Sequence, residues 1–315
     1  MNVKVSVIVN CFNGEKYLKR ALNSLLEQTY RHFEVIFYDN CSSDNSLAIF
    51  SSFSECDSRF KLFSSESHVS LGEARKFALD YCEGDYVSFL DVDDIWVPDK
   101  LEKQIFQMIC ENADVSYTSY YEIVLDSDVA TKEISIKPST DYFKLNLNKF
   151  QVCLPTLMLS REFTKKVGIN FDSNLRVSEE FCLTLFLIAA GAKVMVLENF
   201  YSCYYSVRSN SLSVVGMKYW SIDRLYTLNL LCEKYKDFCS NYSKELNNAR
   251  DKATYYDCLY NYMSKNYHES FKIIKIIKFK KLVYFVIYIL LFFRLNYILN
   301  VIIRMKYGYR FSNIL

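Results

Sequence analysis

Hydrophobic and polar residues follow two alternating spacings along the first 110 positions. Four short apolar runs have the composition of buried parallel strands. They are Val5–Val9, Phe33–Tyr38, Phe60–Phe63 and Tyr86–Leu90. The segments between these runs place apolar residues three and four positions apart, which is the spacing of amphipathic helices. The alternation predicts an α/β domain in which a mostly parallel sheet is flanked by helices through right-handed crossovers.

Four helices are predicted around these strands. A short second helix is expected to use Asp44 as its N-cap and to run to Phe50. A third is predicted over Leu71–Tyr81, and Pro98 suits the first turn of a fourth that ends near Cys110. The first helix has one apolar face, which consists of Leu18, Ala21, Leu22, Leu25 and Leu26.

The pattern between residues 114 and 266 is mixed. One helix is predicted around Glu179–Ala190, and residues 217–266 read as helical, polar and rich in tyrosine. The predicted strands are Val115–Leu125, Val152–Leu159, Lys193–Leu197 and Tyr201–Val207. The predicted organisation is an α/β domain over residues 1–215, a helical region over 216–270 and a separate tail over 271–315.

The tail differs from the rest of the chain in charge. It holds nine of the 38 Lys and Arg residues and none of the 36 Asp and Glu residues. Its apolar run, Leu282–Phe293, is shorter than the roughly 20 residues that a membrane-spanning helix needs. A basic, apolar segment suits a helix that lies on an anionic membrane surface. The alternative is a buried C-terminal helix packed on the body of the protein.

Composition excludes several classes of protein. Only seven Gly and three Pro occur in 315 residues, which excludes collagen-like and linker-rich chains. The eleven Cys form no CxxC pair and the three His do not cluster with them, so neither a disulfide framework nor a zinc ribbon is indicated. The N-terminal apolar run is too short for a signal peptide, and we expect a cytoplasmic protein.

Acidic residues follow two of the predicted strands directly. Asp39 follows the second strand, and Asp91 and Asp93 follow the fourth on the same side of an extended stretch. Ligands of such sheets bind beyond the carboxyl ends of the strands, where two carboxylates suit Mg²⁺ or Mn²⁺ bound together with substrate phosphates. No GxGxxG or GxxxxGK[ST] motif is present, so the dehydrogenase and P-loop classes are excluded.

Several segments, in order, resemble glycosyltransferase family 2. The opening Val5–Leu18 and Leu25–Thr29, the acidic Tyr38–Asp44 segment, Gly72–Arg75 and the DxD block Gly84–Trp96 are similar to its blocks. The similarity continues more weakly through residues 168–180 and 204–211. The resemblance implies a GT-A fold and inverting transfer of a sugar from a nucleotide sugar.

The resemblance also implies roles for single residues. The metal, Mn²⁺ or Mg²⁺, would be held mainly by Asp93, with Asp91 at the ribose or in the metal shell. The catalytic base would be Glu180, or else its neighbour Glu179. The remaining nucleotide-sugar-binding residues are Phe12, Glu15, Asp39, Arg75 and Arg208. Five of the seven glycines lie in or beside these blocks and are expected to mark turns around the donor site.

Departures from the family pattern leave a second interpretation open. Asn10, Phe12 and Lys76 replace a usual Pro, Tyr and Asn, Glu180 replaces Asp, and Ser206 stands where Arg is frequent. The alternative is therefore a catalytically silent nucleotide-sugar-binding subunit that recruits a partner to the membrane. A processive synthase is disfavoured because neither Trp96 nor Trp220 lies in a QxxRW setting.

The expected function combines these features. We expect a metal-dependent, non-processive transferase that moves a hexose-type sugar from a UDP-sugar to a lipid-linked oligosaccharide in O-antigen or capsule synthesis. The expected partners are the nucleotide sugar, the lipid-linked acceptor and the anionic inner face of the cell membrane, with no nucleic acid.

Overall fold

The computed structural model describes residues 3–124, 129–208 and 216–307. The chain forms two compact units. The first comprises residues 1–175 and 179–206, and the second comprises residues 176–178 and 207–315.

The first unit is built on one nine-stranded sheet. In chain order its strands are β1 (Val5–Cys11), β2 (Phe33–Asp39), β3 (Phe60–Ser64), β4 (Tyr86–Phe89), β5 (Ile95–Trp96), β6 (Val115–Val124), β7 (Val129–Ile134), β8 (Met158–Ser160) and β9 (Val194–Val207), whose last residue belongs to the second unit. Their order across the sheet is β3-β2-β1-β4-β8-β6-β9-β5, and β7 pairs with β6.

Seven helices flank this sheet. They are α1 (Glu15–Leu26), α2 (Ser46–Ser54), α3 (Leu71–Asp80), α4 (Lys100–Glu111), α5 (Tyr142–Asn148), α6 (Arg161–Val167) and α7 (Glu179–Ala189). The predicted apolar face of α1 is confirmed, since Leu18, Ala21, Leu22 and Leu25 are fully buried and Leu26 is partly buried. In α2, Asn45 rather than Asp44 occupies the N-cap position, and the helix continues past Phe50 to Ser54.

The first four strands form the parallel part of the sheet. β1 lies between β2 and β4, and β2 also pairs with β3. All seven residues of β2 are buried, because a strand covered by helices on both faces can be apolar throughout. The predicted α/β architecture is therefore confirmed, and its parallel part is confined to these strands.

The other half of the sheet is antiparallel and differs most from the prediction. β8 pairs with β4 and β6, but it is only three residues long, and just Met158 and Leu159 belong to the predicted Val152–Leu159 strand. Leu154–Thr156 instead forms a 3₁₀ turn around Pro155, which cannot donate a hydrogen bond to a neighbouring strand. The two strands predicted within residues 193–207 are one continuous strand, β9.

One glycine lies at the opposite edge of the sheet from the others in the predicted blocks. Gly84 precedes β4 at its amino end, and a Cβ there would lie 2.5 Å from the backbone nitrogen of Ser6. The expectation that it marks a turn around the donor site is wrong. The residue is required for close approach of two backbones. Gly14, by contrast, starts α1 at the carboxyl edge and packs against Val92.

The second unit is helical in its described residues. Its helices are α8 (Met217–Lys234), α9 (Lys236–Ser240), α10 (Ser243–Met263), α11 (Tyr267–Ile277), α12 (Leu282–Phe292) and α13 (Asn296–Tyr307). One hydrophobic core joins α8 and α10–α13, and it draws residues from both the predicted helical region and the predicted tail. Examples are Leu259, Ile274, Ile287 and Leu299.

The outer face of α11–α13 is apolar and exposed. Phe279, Leu282, Tyr297 and Met305 are each about four-fifths exposed. The tail is thus half core and half surface. Its packed side agrees with the buried-helix alternative, and docking on a membrane stays a prediction. No helix within the described ranges has both the length and the apolar composition to cross a membrane.

Candidate active site

The candidate site lies at the carboxyl edge of the parallel strands. Cys11 at the end of β1 is paired in register with Asp39 at the end of β2. Leu90 N–H donates to the Ile8 carbonyl at 2.9 Å, which places Asp91 beyond the adjacent end of β4. Phe12, Asp39 and Asp91 therefore leave neighbouring strands at one edge, as the sequence predicts.

Asp39 is prepared to accept a hydrogen bond from a ligand. The residue is only 2% exposed, and its Oδ2 accepts from the Ser42 backbone N–H at 2.9 Å. Its Oδ1 is buried and has no hydrogen-bond partner within the protein. Because an unsatisfied buried acceptor is costly, a donor N–H placed here would gain a full hydrogen bond.

An aromatic pair lies beside this carboxylate. The Phe12 ring is half exposed, and its centroid lies 4.3 Å from that of His68. His68 Nδ1 lies 3.1 Å from the carbonyl oxygen of Asn40, the residue after Asp39. A flat, half-exposed aromatic surface next to a hydrogen-bond acceptor suits a planar heterocycle. His68 is a residue that the sequence reasoning missed, because it lies in a loop outside every recognised block.

Glu15 joins two loops at this edge. Its Oε2 accepts from both the backbone N–H and the side-chain amide of Asn45, each at 2.8 Å. In return, Asp44 Oδ2 accepts from the Glu15 backbone N–H at 2.9 Å. These reciprocal bonds hold the β1–α1 and β2–α2 loops together around Asp39. Glu15 thus shapes the candidate base pocket through the loops.

Arg75 is the central cation of the site. Its side chain, on α3, is 6% exposed. Nη2 lies 3.4 Å from Asp91 Oδ1, and Nη1 lies 3.8 Å from Glu179 Oε2. Burial alone would lower the pKa of Arg75, but the charges of Asp91, Glu179 and Glu180 more than offset this and raise it. One guanidinium thus links α3, the end of β4 and the start of α7.

The two glutamates at the start of α7 have different surroundings. Glu179 is 2% exposed, and its Oε1 is buried without a hydrogen-bond partner. Glu180 is only partly buried. Of the two side chains, only that of Glu180 is partly accessible to solvent. The N-terminal end of the helix carries a partial positive charge, which stabilises both carboxylates.

The acidic segment after β4 is fixed by the last strand of the unit. Ser206 N–H donates to Asp94 Oδ1 at 2.7 Å, and the Ser206 hydroxyl donates to the Asp93 carbonyl. Asp94 is 1% exposed and therefore has a structural role. Sequence comparison noted Ser206 only as a departure. In the structure its two hydrogen bonds hold the loop that carries Asp93.

The residues fit a metal that a substrate helps to hold. Asp91 and Asp93 are both partly exposed at the strand end. No group of three or more His, Cys, Asp or Glu in the described ranges is arranged to hold a metal ion by itself. Mg²⁺ and Mn²⁺ commonly take one or two carboxylates and complete their shell with phosphate oxygens.

Arg208 directly follows β9 and belongs to the second unit. Its predicted role in binding the nucleotide sugar stays a prediction. The rest of the predicted loop over the donor, residues 209–211, lies outside the described ranges.

Comparison with known proteins gives this arrangement a family context. Residues 6–168, just over half of the chain, match the family described as Glycosyl transferase family 2. TuaG of Bacillus subtilis strain 168, named as a teichuronic acid biosynthesis glycosyltransferase, is 33% identical over 187 residues. That match covers 59% of this chain and 73% of TuaG.

A second relative is named in more chemical detail. WfgD of Escherichia coli, a UDP-Glc:alpha-D-GlcNAc-diphosphoundecaprenol beta-1,3-glucosyltransferase, is 38% identical over 167 residues. The match covers 53% of this chain and 64% of WfgD, slightly less than two thirds of that protein.

Solved structures show the same fold at lower identity. The mannosyltransferase PcManGT from Pyrobaculum calidifontis, in complex with GDP-Man and Mn²⁺, is 15% identical with a TM-score of 0.60. The superposition covers 79% of this chain and 71% of that one.

The Arg75 cluster predicts a specific pattern of stability changes. Arg75→Met should lower the free energy of unfolding by about 3 kcal/mol or more, because it leaves Glu179 buried without a cation. Adding Glu179→Gln to that variant should recover part of the loss, since the uncompensated charge is then removed. Urea denaturation of the single and double variants measures both effects.

Lys76→Met is the matched control, because Lys76 is the exposed neighbour on the same helix. It should change the free energy of unfolding by less than about 0.5 kcal/mol. Equal effects of the Arg75 and Lys76 substitutions would contradict the pairing.

Proposed function

The chain belongs to glycosyltransferase family 2, and on that premise we propose that it transfers a sugar from a nucleoside diphosphate sugar to a hydroxyl of a lipid-linked saccharide in surface-polysaccharide synthesis. The observation that carries the proposal is the Arg75 cluster, which brings Asp91 and the Glu179–Glu180 pair to one edge of the sheet. A carboxylate base beside a cluster suited to a diphosphate is what direct displacement of a sugar requires.

The donor is held at three points in this proposal. Asp39 accepts a hydrogen bond from the base, whose ring lies against Phe12. Arg75 supports the diphosphate through its charge, while Asp91 stands at the ribose. A uridine ring is the preferred base because its N3–H is a donor that can meet Asp39 Oδ1. The UDP-glucose donor named for WfgD supports the same choice.

The charge of the site favours a divalent cation. Asp39, Asp91, Asp93 and the two glutamates give five carboxylates at this edge, and Arg75 neutralises only part of that charge. A diphosphate would therefore be repelled unless a further cation came with it. Mn²⁺ or Mg²⁺, held mainly by Asp93 with Asp91 at its edge, would neutralise the charge that develops on the leaving diphosphate. The complex of PcManGT with Mn²⁺ supports this assignment.

The reaction is a single displacement with inversion. Glu180 takes the proton of the acceptor hydroxyl as its oxygen attacks the anomeric carbon from the side opposite the diphosphate. The bond from that carbon to the diphosphate oxygen breaks, and the nucleoside diphosphate leaves. Glu180 is preferred as the base because it is partly exposed, whereas Glu179 is buried against Arg75. We assign the enzyme non-processive transfer, because neither Trp96 nor Trp220 lies in a QxxRW setting.

The relatives and the second unit support a proposal for the acceptor and its location. WfgD is named for a GlcNAc-diphosphoundecaprenol acceptor, which resides in a membrane. We assign this chain an acceptor of that kind, a hexose-type donor and a place on the cytoplasmic face of an anionic membrane. The exposed apolar face of α11–α13 supports the membrane assignment, because exposed apolar patches of this kind mark interaction sites.

Glu180→Gln is expected to lower kcat by a factor of about 10² to 10⁴, because the acceptor hydroxyl loses its base. The variant should keep the wild-type free energy of unfolding and its affinity for the nucleoside diphosphate. Release of nucleoside diphosphate in the presence of acceptor measures turnover, with Glu162→Gln on α6 as the exposed control. Near-normal turnover by Glu180→Gln would rule out this residue as the base. Acceptor-independent nucleotide binding without turnover in the wild type would favour the silent subunit.

Membrane binding is tested with surface substitutions rather than truncation, because ending the chain near residue 269 would remove core side chains such as Ile274 and Ile287. Lys280→Glu combined with Lys281→Glu should weaken binding to anionic vesicles at least tenfold, since each cation contributes about 1 kcal/mol near such a surface. Phe279→Ser should weaken it further by removing exposed apolar area.

Flotation with vesicles containing phosphatidylglycerol measures this binding. Phe106→Ser is the control, because Phe106 is a half-exposed aromatic residue on α4 of the first unit. Unchanged flotation of the tail variants, or an equal loss in the control, would contradict docking through α11–α13.

A further inference from the structure

A cleft opens in the first unit beside helix α5. It encloses about 380 Å³ and lies between the segment after β7 and the end of α5. Lys137 and Lys149 enter it from these two segments, together with Ser135, Ser139 and Gln151. A volume of this size is within the range of small-molecule sites.

The charge of the cleft is one-sided. No carboxylate is among the described residues that line it, and neither Lys137 nor Lys149 forms an ion pair with a described residue. The acids nearest to Lys137 in sequence are Glu133 and Asp141, each four positions away. Glu133 Oε2 lies 3.5 Å from the Tyr201 hydroxyl, and Asp141 caps α5 by accepting from the Lys144 backbone N–H at 2.9 Å. Two exposed lysines that line one cleft, with hydroxyl and amide donors among the other lining residues, favour an anion that carries more than one charge.

The cleft is linked to the proposed base by direct packing. Helix α5, whose Leu145 lines the cleft, packs against α7. Phe150, next to Gln151, meets Phe181 edge to face with ring centroids 5.2 Å apart. Phe181 is the neighbour of Glu180 on the same helix. The segments that line the cleft are thus packed on the helix that begins with Glu179 and Glu180.

We propose that this cleft binds the diphosphate group of the acceptor, with Lys137 and Lys149 each contacting one phosphate. The inference rests on the proposed function, because it identifies the group by which the enzyme recognises a lipid-linked saccharide. The hydroxyls of Ser135 and Ser139 and the amide of Gln151 supply further donors to the phosphate oxygens. The Pro138 and Leu145 side chains give the cleft an apolar wall against which the first part of the lipid chain packs.

Two observations favour a diphosphate over a single carboxylate, such as that of a uronic acid. The lysines stand on separate segments, so one compact carboxylate is poorly suited to both. Several neutral donors also surround them, and phosphate oxygens accept many hydrogen bonds at once. A uronate is therefore the competing ligand, and the experiment includes it.

The test is protection of lysine side chains from acetylation, measured by mass spectrometry. The probe is a synthetic GlcNAc diphosphate with a short alkyl chain, and the comparison compounds are the alkyl GlcNAc glycoside and glucuronate. The diphosphate probe should slow acetylation of Lys137 and Lys149 at least threefold. Lys144, an exposed lysine on α5 outside the cleft, is the internal control and should react at an unchanged rate.

A kinetic measurement complements the protection experiment. Lys137→Gln and Lys149→Gln should each raise the KM for the diphosphate acceptor at least tenfold, and Lys144→Gln should not. Equal acetylation with and without the diphosphate probe would overturn the proposal, as would equal protection by glucuronate or by the uncharged glycoside. Protection without any sugar transfer would instead contradict the proposed function and leave the cleft assignment standing. Sugar transfer without protection of the lysines would contradict the cleft assignment and leave the proposed function standing.

Discussion

The buried guanidinium of Arg75 is the interaction on which the candidate site depends. It faces Asp91 and Glu179, which lie 16 and 104 positions away in the sequence. A buried arginine without carboxylates, or buried carboxylates without a cation, would cost several kcal/mol. The three segments that carry these charges are therefore stable only when they come together. The same constraint leaves Glu180, one residue further on, at the edge of the cluster and partly accessible.

Other contacts extend this order across the edge of the sheet. Glu15, Asp44 and Asn45 join the first two loops around Asp39, and Ser206 fixes the segment that carries Asp93. These bonds reduce the number of arrangements open to the side chains that are proposed to contact the donor. A rigid scaffold prepares a site in this way before the ligand arrives.

The sequence predicts the parallel half of the fold and the acidic strand ends well, for physical reasons. Runs such as Val5–Val9 are apolar because both faces of β1 are covered, and parallel strands bring Asp39 and Asp91 to a common edge. Local pattern fails where tertiary contacts decide the structure. Residues 154–156 read as a strand but form a turn, in which Pro155 accepts a hydrogen bond from the Trp96 indole at 2.8 Å.

Contacts between residues that lie far apart in the chain are the second feature that the sequence does not predict. Nothing in the spacing of Arg75 and Glu179 predicts their contact, so the two glutamates are equivalent in the sequence and distinct in the structure. The aromatic partner of Phe12, His68, is likewise defined only by the folded loops. The sequence also does not predict which side of the tail is buried. Ile287 and Leu282 are similar apolar residues, yet Ile287 is 2% exposed and Leu282 is 79% exposed.

The central claim is a single displacement on a lipid-linked acceptor at the Arg75 edge. It is tested most directly by proton NMR of the product formed from an α-linked UDP-hexose and a synthetic GlcNAc diphosphate lipid. The anomeric coupling constant of the transferred sugar reports its configuration. The account predicts a β-linked product and one UDP released per sugar transferred. An α-linked product, or loss of UDP to water with no transfer to the acceptor, would contradict it.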